Sequence, residues 1–138
     1  MRVSRFLTCA VTLFVLVTFA SQGITAQGSV RVVPDEGSST AVENTPANQV
    51  TFTITNAATN DDHADVFELE CRAVGAVSSC AVSTGSVYLE AREQATVTVT
   101  YTAQAPGQGV VSLFAWGTTW RGYDPAFYVI AVQSAGTR

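Results

Sequence analysis

The chain has 138 residues, with seven Lys plus Arg against eleven Asp plus Glu and a formal net charge of −4. All the basic residues are arginines, which removes lysine-dependent chemistry, and the acidic balance makes nucleic acid and anionic membrane surfaces poor partners. The length suits one domain with a modest core.

Arg2 and Arg5 precede an uncharged apolar run, residues 6–20, and small residues follow at Ala20, Ser21, Gly23 and Ala26. Positive, apolar and small residues in that order make a secretory signal, so residues 1–26 are expected to be a signal peptide, with the cut between Ser21 and Gln27. An uncleaved anchor is the alternative, because about 20 apolar residues span a bilayer and no charge interrupts residues 6–30. The apolar density falls after Ala20, which favours cleavage. Residues 27–138 then form the domain, with five arginines against eleven acidic residues, a formal −6.

Cys9 leaves with the signal. Cys71 and Cys80 remain, the count for one disulfide in an oxidising compartment, and the expected location is periplasmic, cell-surface or extracellular. A hairpin can close the short loop between them, and such a bridge stabilises by roughly 2–3 kcal/mol in the chain-entropy account. Two thiols and one histidine make a poor metal site, and a redox pair would have the tighter Cys-x-x-Cys spacing.

Residues 29–33 read as a short first strand stopped by Pro34, and residues 35–48 as a polar surface connection. Residues 49–56 alternate, with Val50, Phe52 and Ile54 on one face and Thr51, Thr53 and Thr55 on the other. A polar loop, residues 57–64, leads to a strand over 65–74 with Phe67, Leu69, Cys71 and Ala73 inward and Glu68, Glu70 and Arg72 outward. Residues 75–78 turn the chain and 79–83 return it, which sets both cysteines near the mouth of one hairpin. Residues 87–90 make another short strand. The most regular stretch follows at 93–102, apolar at Ala95, Val97, Val99 and Tyr101 with hydroxyl residues between, a strand with one buried face. Pro106, Gly107 and Gly109 signal a turn, residues 110–116 a strand and residues 117–125 a loop. The last strand, 126–133, is apolar on both faces in its middle, as an interior strand or a covered edge would be. Seven or eight strands without a helical period predict an all-β antiparallel sandwich.

The runs at 48–56, 65–69, 86–89 and 95–101 resemble the bacterial immunoglobulin-like domains of secreted and cell-surface proteins, including modules related to cell-adhesion repeats. The resemblance covers roughly residues 30–115 and implies a sandwich that binds, spaces or displays. Two departures are visible. The Cys71 and Cys80 spacing differs from the inter-sheet bridge of antibody domains, which joins strands far apart in sequence. The family's tandem modules are also absent, and the aromatic segment at the end of the chain has no counterpart.

That segment holds Trp116, Trp120, Tyr123, Phe127 and Tyr128 with Arg121 among them. Trp, Tyr and Arg anchor interfaces because they bury large area at low entropic cost and keep a polar handle. Trp116, Trp120, Arg121, Tyr123 and Tyr128 are therefore the candidate contacts for a protein or glycan partner, against the reading in which these aromatics pack over the core. Asp61, Asp62 and Asp65, beside His63, are weak oxygen-ligand candidates for calcium, lacking the acid spacing and glycine of a calcium loop; a solvated turn is the plainer account. The threonine rows suit any exposed strand face. With one histidine and no nucleophile-elbow or paired-carboxylate context, no enzyme and no cofactor are expected. The function expected is a non-enzymatic exported binding module. The alternative is an accessory subunit docked on the outer face of a larger membrane protein complex.

Overall fold

The computed structural model describes residues 30–37 and 39–136, so the expected signal segment and Cys9 lie outside the described residues. The strands are β1 (Val30–Gly37), β2 (Thr40–Val42), β3 (Thr45–Asn56), β4 (Asp65–Gly75), β5 (Val77–Val82), β6 (Ser86–Leu89), β7 (Gln94–Ala103), β8 (Gly107–Gly117) and β9 (Tyr123–Gln133). They form two sheets, one ordered β1-β3-β7-β5 and the other β2-β9-β8-β4-β6. Every pairing is antiparallel except the short parallel pair of β2 with β9. This is the expected all-β sandwich, with nine strands in place of seven or eight.

The period-2 pattern builds the core. Val50, Phe52 and Ile54 of β3 lie opposite Val99, Val97 and Ala95 of β7, and they face Phe67, Val111, Leu113, Ala115 and Ile130 of the other sheet in one continuous buried cluster. Burying each large side chain of this kind stabilises the fold by about 1.5–3 kcal/mol. On the outer side of the same pair, Thr51 meets Thr98 and Thr53 meets Thr96, so the two threonine rows are one set of cross-strand pairs.

Four expectations need correction. Pro34 does not stop β1, which runs on to Gly37 with a register shift after the proline. Val32, in phase with Pro34, donates its N–H away from β3 to Asp124 Oδ2 at 2.7 Å, so a proline two residues on costs the ladder nothing. The connection expected at 35–48 contains β2 and the start of β3. At the other end, β9 begins at Tyr123 and pairs it with Trp116, which shortens the expected loop 117–125 to residues 118–122.

The fourth correction concerns the cysteines. β4 and β5 do not form a hairpin, because they lie in different sheets. β4 stays paired with β8 as far as Gly75, opposite Gly109, and β5 pairs with β7 from Val77, opposite Ala103. Ala76 makes the change alone: its N–H donates to Gln108 O and its carbonyl accepts from Gln104 N–H. Gly75 has a φ of 74°, and a Cβ there would overlap Gln108 O, so the corner requires glycine. The Cys71–Cys80 disulfide, with 6.0 Å between Cα atoms, therefore ties one sheet to the other across a corner.

Candidate functional site

The outer face of the five-stranded sheet carries the unusual surface. On β8 the even residues face out, and on β9 the odd ones do, with Trp116 beside Tyr123, Phe114 beside Pro125, Ser112 beside Phe127 and Val110 beside Val129. β4 adds Glu68, Glu70, Arg72 and Val74 to the row, β6 adds Tyr88 opposite Val66, and β2 adds Val42 opposite Gln133. Among the described residues, every exposed large hydrophobic side chain except Val33 belongs to this face: Val42, Val66, Val74, Tyr88, Tyr123, Phe127 and Val129.

Its centre is ordered by side-chain contacts. Phe114 stacks with Tyr123 at 6.4 Å between ring centroids and meets Phe127 edge-on at 6.5 Å. The Arg72 guanidinium lies 5.3 Å from the Phe114 ring centroid, within cation–π range, and Arg72 Nε also donates to Glu70 at 3.0 Å. Trp116 Nε1 donates to Glu68 Oε2 at 2.9 Å. The rings are thus held by polar neighbours on the same surface, which orients them without covering them.

The five sequence candidates separate. Trp116 and Tyr123 stand next to each other on this face, and Arg121 is exposed in the loop 118–122 with a φ of 56°. Trp120 is half-buried; its ring stacks on His63 at 4.0 Å and 23°, and its indole N–H donates to Ala64 O. Tyr128 turns to the inner side of β9, where its hydroxyl donates to Gly37 O at 2.6 Å. The structure therefore brings two of the candidates together with Phe114, Phe127, Tyr88 and Arg72, which were not singled out as contacts. The signal was present in β8, where residues 110–116 are apolar in both phases, but periodicity alone does not say which phase faces the core.

The acidic candidates also separate. Asp61 pairs with Arg92 at the surface, and Asp62 lies 3.8 Å from His63 Nε2. Asp65 is 3% exposed and its carboxylate accepts from the backbone N–H groups of Val66, Thr119 and Trp120 and from the Thr118 hydroxyl. Burial alone would raise the Asp65 pKa, but the hydrogen bonds from Trp120, Thr119 and Val66 outweigh it and hold the carboxyl below its ordinary value. Asp65 is the internal anchor of loop 118–122. Among the described residues no three His, Cys, Asp or Glu side chains converge as a metal-holding group.

No family model and no curated protein matches the sequence. The fold does match solved structures. The chain is similar to part of native alpha-2-macroglobulin from Escherichia coli, in a structure spanning domain MG7 to the C-terminus, with a TM-score of 0.61, 15% identity and coverage of 79% of this chain and 17% of that one. It thus spans about a sixth of that structure. It is also similar to a FixG-related protein from Vibrio parahaemolyticus, with a TM-score of 0.52, 9% identity and coverage of 78% and 97%. At such identities the likeness shows the fold alone, an immunoglobulin-like sandwich.

Proposed function

We propose that this protein is an exported, non-enzymatic interaction module that docks the outer face of its five-stranded sheet on a protein partner. The observation that carries the reading is the concentration of exposed aromatic and aliphatic side chains on that one face. From strand rise and spacing the face measures roughly 30 by 20 Å, of the order of the ~800 Å² each partner contributes to a standard interface. Four of its exposed residues are valines, which offer a sugar hydroxyl nothing to bond, so a protein surface complements the face better than a glycan. The disulfide supports an oxidising compartment. Exposed apolar patches of this extent mark interaction sites, and permanent interfaces are the more hydrophobic ones, which keeps the docked accessory subunit of a membrane complex as a second reading.

Mild-detergent fractionation of native cells, with mass spectrometry on whatever accompanies this chain, tests both. The variant Tyr123→Ser/Phe127→Ser should lose its co-purifying partner at least tenfold while melting as the native protein does. Arg121→Ala, in the loop, should keep it. If the partner survives the double change and is lost with Arg121→Ala, the loop and not the sheet makes the contact. Co-purification in fixed ratio with a membrane complex selects the docked subunit, and recovery with a soluble partner selects the free module.

A further inference from the structure

β9 has a strand beside its outer edge along only part of its length. β2 pairs with Ala131, Val132 and Gln133; along residues 123–129 β1 lies against β9 through the Asp124 and Tyr128 side chains, but no strand among the described residues pairs with that stretch in a ladder on that side. The pairing with β2 also gives the direction of the backbone groups. Ala131 N–H donates to Ser39 O, and Gln133 O accepts from Glu43 N–H, so the odd-numbered residues of β9 turn their peptide groups away from β8. Peptide groups alternate along a strand. Phe127 and Val129 are in the same phase and present N–H and C=O to the open edge, while Pro125, also in phase, presents only its carbonyl.

The neighbouring edge is blunted. On β1, Asp124 takes the Val32 N–H, and Pro34, in the same phase, has none. Sheets commonly guard their edges with charges, prolines or bulges; Asp124 and Pro125 stand at one end of this stretch, while residues 126–130 of β9 contain no charge and no proline, and the pairing with β8 runs without a register shift. The residues that offer backbone groups here are the same ones whose side chains, Phe127 and Val129, are exposed on the outer face at 57% and 49%.

We infer that this open edge of β9 receives an extended segment of another protein chain by strand addition. The inference rests on the face reading above and names how the partner engages it: main-chain bonds to Phe127 and Val129, with alternate apolar side chains of the segment lying beside theirs on the outer face. A second copy of this chain is a poorer occupant. Symmetric pairing of two β9 edges about Phe127 sets Pro125 against Val129 of the other copy and leaves both Val129 carbonyls without a donor. Beyond Val129, β2 blocks the register.

The probe is an acetylated peptide, Lys-Thr-Val-Thr-Val-Thr-Val-Thr-Lys, titrated by fluorescence anisotropy and by amide hydrogen exchange into the protein purified from its native cells. The expected result is at least tenfold slower exchange of the Phe127 and Val129 amides. Val129→Pro, which removes one edge N–H where a proline is tolerated, should weaken binding at least tenfold without lowering the melting temperature. A peptide with Pro at the central Val should not bind. Absence of binding at millimolar peptide, or protection at another edge, overturns the inference. Binding that survives Val129→Pro and is lost with Phe127→Ser overturns it too, and leaves the face reading standing. If the protein without peptide is dimeric and already protected at Phe127 and Val129, the occupant is a second copy and the inference fails.

Discussion

Asp65 shows how much one side chain can organise. Its carboxylate holds Thr118, Thr119 and Trp120, which lie 53 to 55 residues further along, and a Cβ on Gly117 would overlap its Oδ2. Asp65→Asn puts an amide N–H among donors, and leaving such groups unpaired costs about 1–3 kcal/mol; chemical denaturation should show that loss. Because the folded-state pKa is depressed, this contribution is complete above the unfolded value, about 3.9, and disappears as pH falls through the lower folded value. The native protein should therefore lose stability in acid below about pH 4, more steeply than Asp65→Asn. None of these partners was legible in sequence. An acidic residue at the head of a strand reads as a solvated turn or a cation ligand, and only the fold brings the distant N–H groups to it.

Strands were legible where one face is buried and the other wet. β3, β4 and β7 keep the phase expected from Phe52, Phe67 and Val97. β2 was not legible, because Thr-Ala-Val gains its ladder from β9 and not from its own pattern. β9 shows the limit from the other side. A strand apolar in both phases reads as interior, yet its odd residues are left open on the surface. The cysteine spacing misled for a comparable reason: a short loop fits a hairpin, but Gly75 and Ala76 turn the chain between sheets. Replacing both cysteines with alanine should cost roughly 2–3 kcal/mol and should speed amide exchange first around Val77 and Gly109, where the corner is held. A uniform acceleration across both sheets would show that the bridge does not act locally.

Across the molecule as a whole the two outer surfaces differ in chemistry. The four-stranded sheet shows paired threonines, and the five-stranded sheet shows rings and valines. Hydrophobic-interaction chromatography should retain the native protein and release Tyr123→Ser/Phe127→Ser earlier, with stability changed by no more than about 0.5 kcal/mol, as for other exposed sites. Equal retention would mean that the apolar face does not govern adhesion. The antiparallel sandwich was readable from the spacing of its strands, and its immunoglobulin-like character only from the family resemblance; the location of the apolar face was not, because it depends on which phase of β8 and β9 the core accepts.

The parallel pairing of β2 with β9 bears on mechanics. β1 runs the same way, with Val32 beside Asp124 and Gly37 beside Tyr128. Traction applied before Val30 and after Gln133 therefore slides β2 and β9 past each other lengthwise. The bonds from Ala131 to Ser39 and from Glu43 to Gln133 then share the load and break together rather than one after another. A domain threaded this way resists being drawn out by its ends.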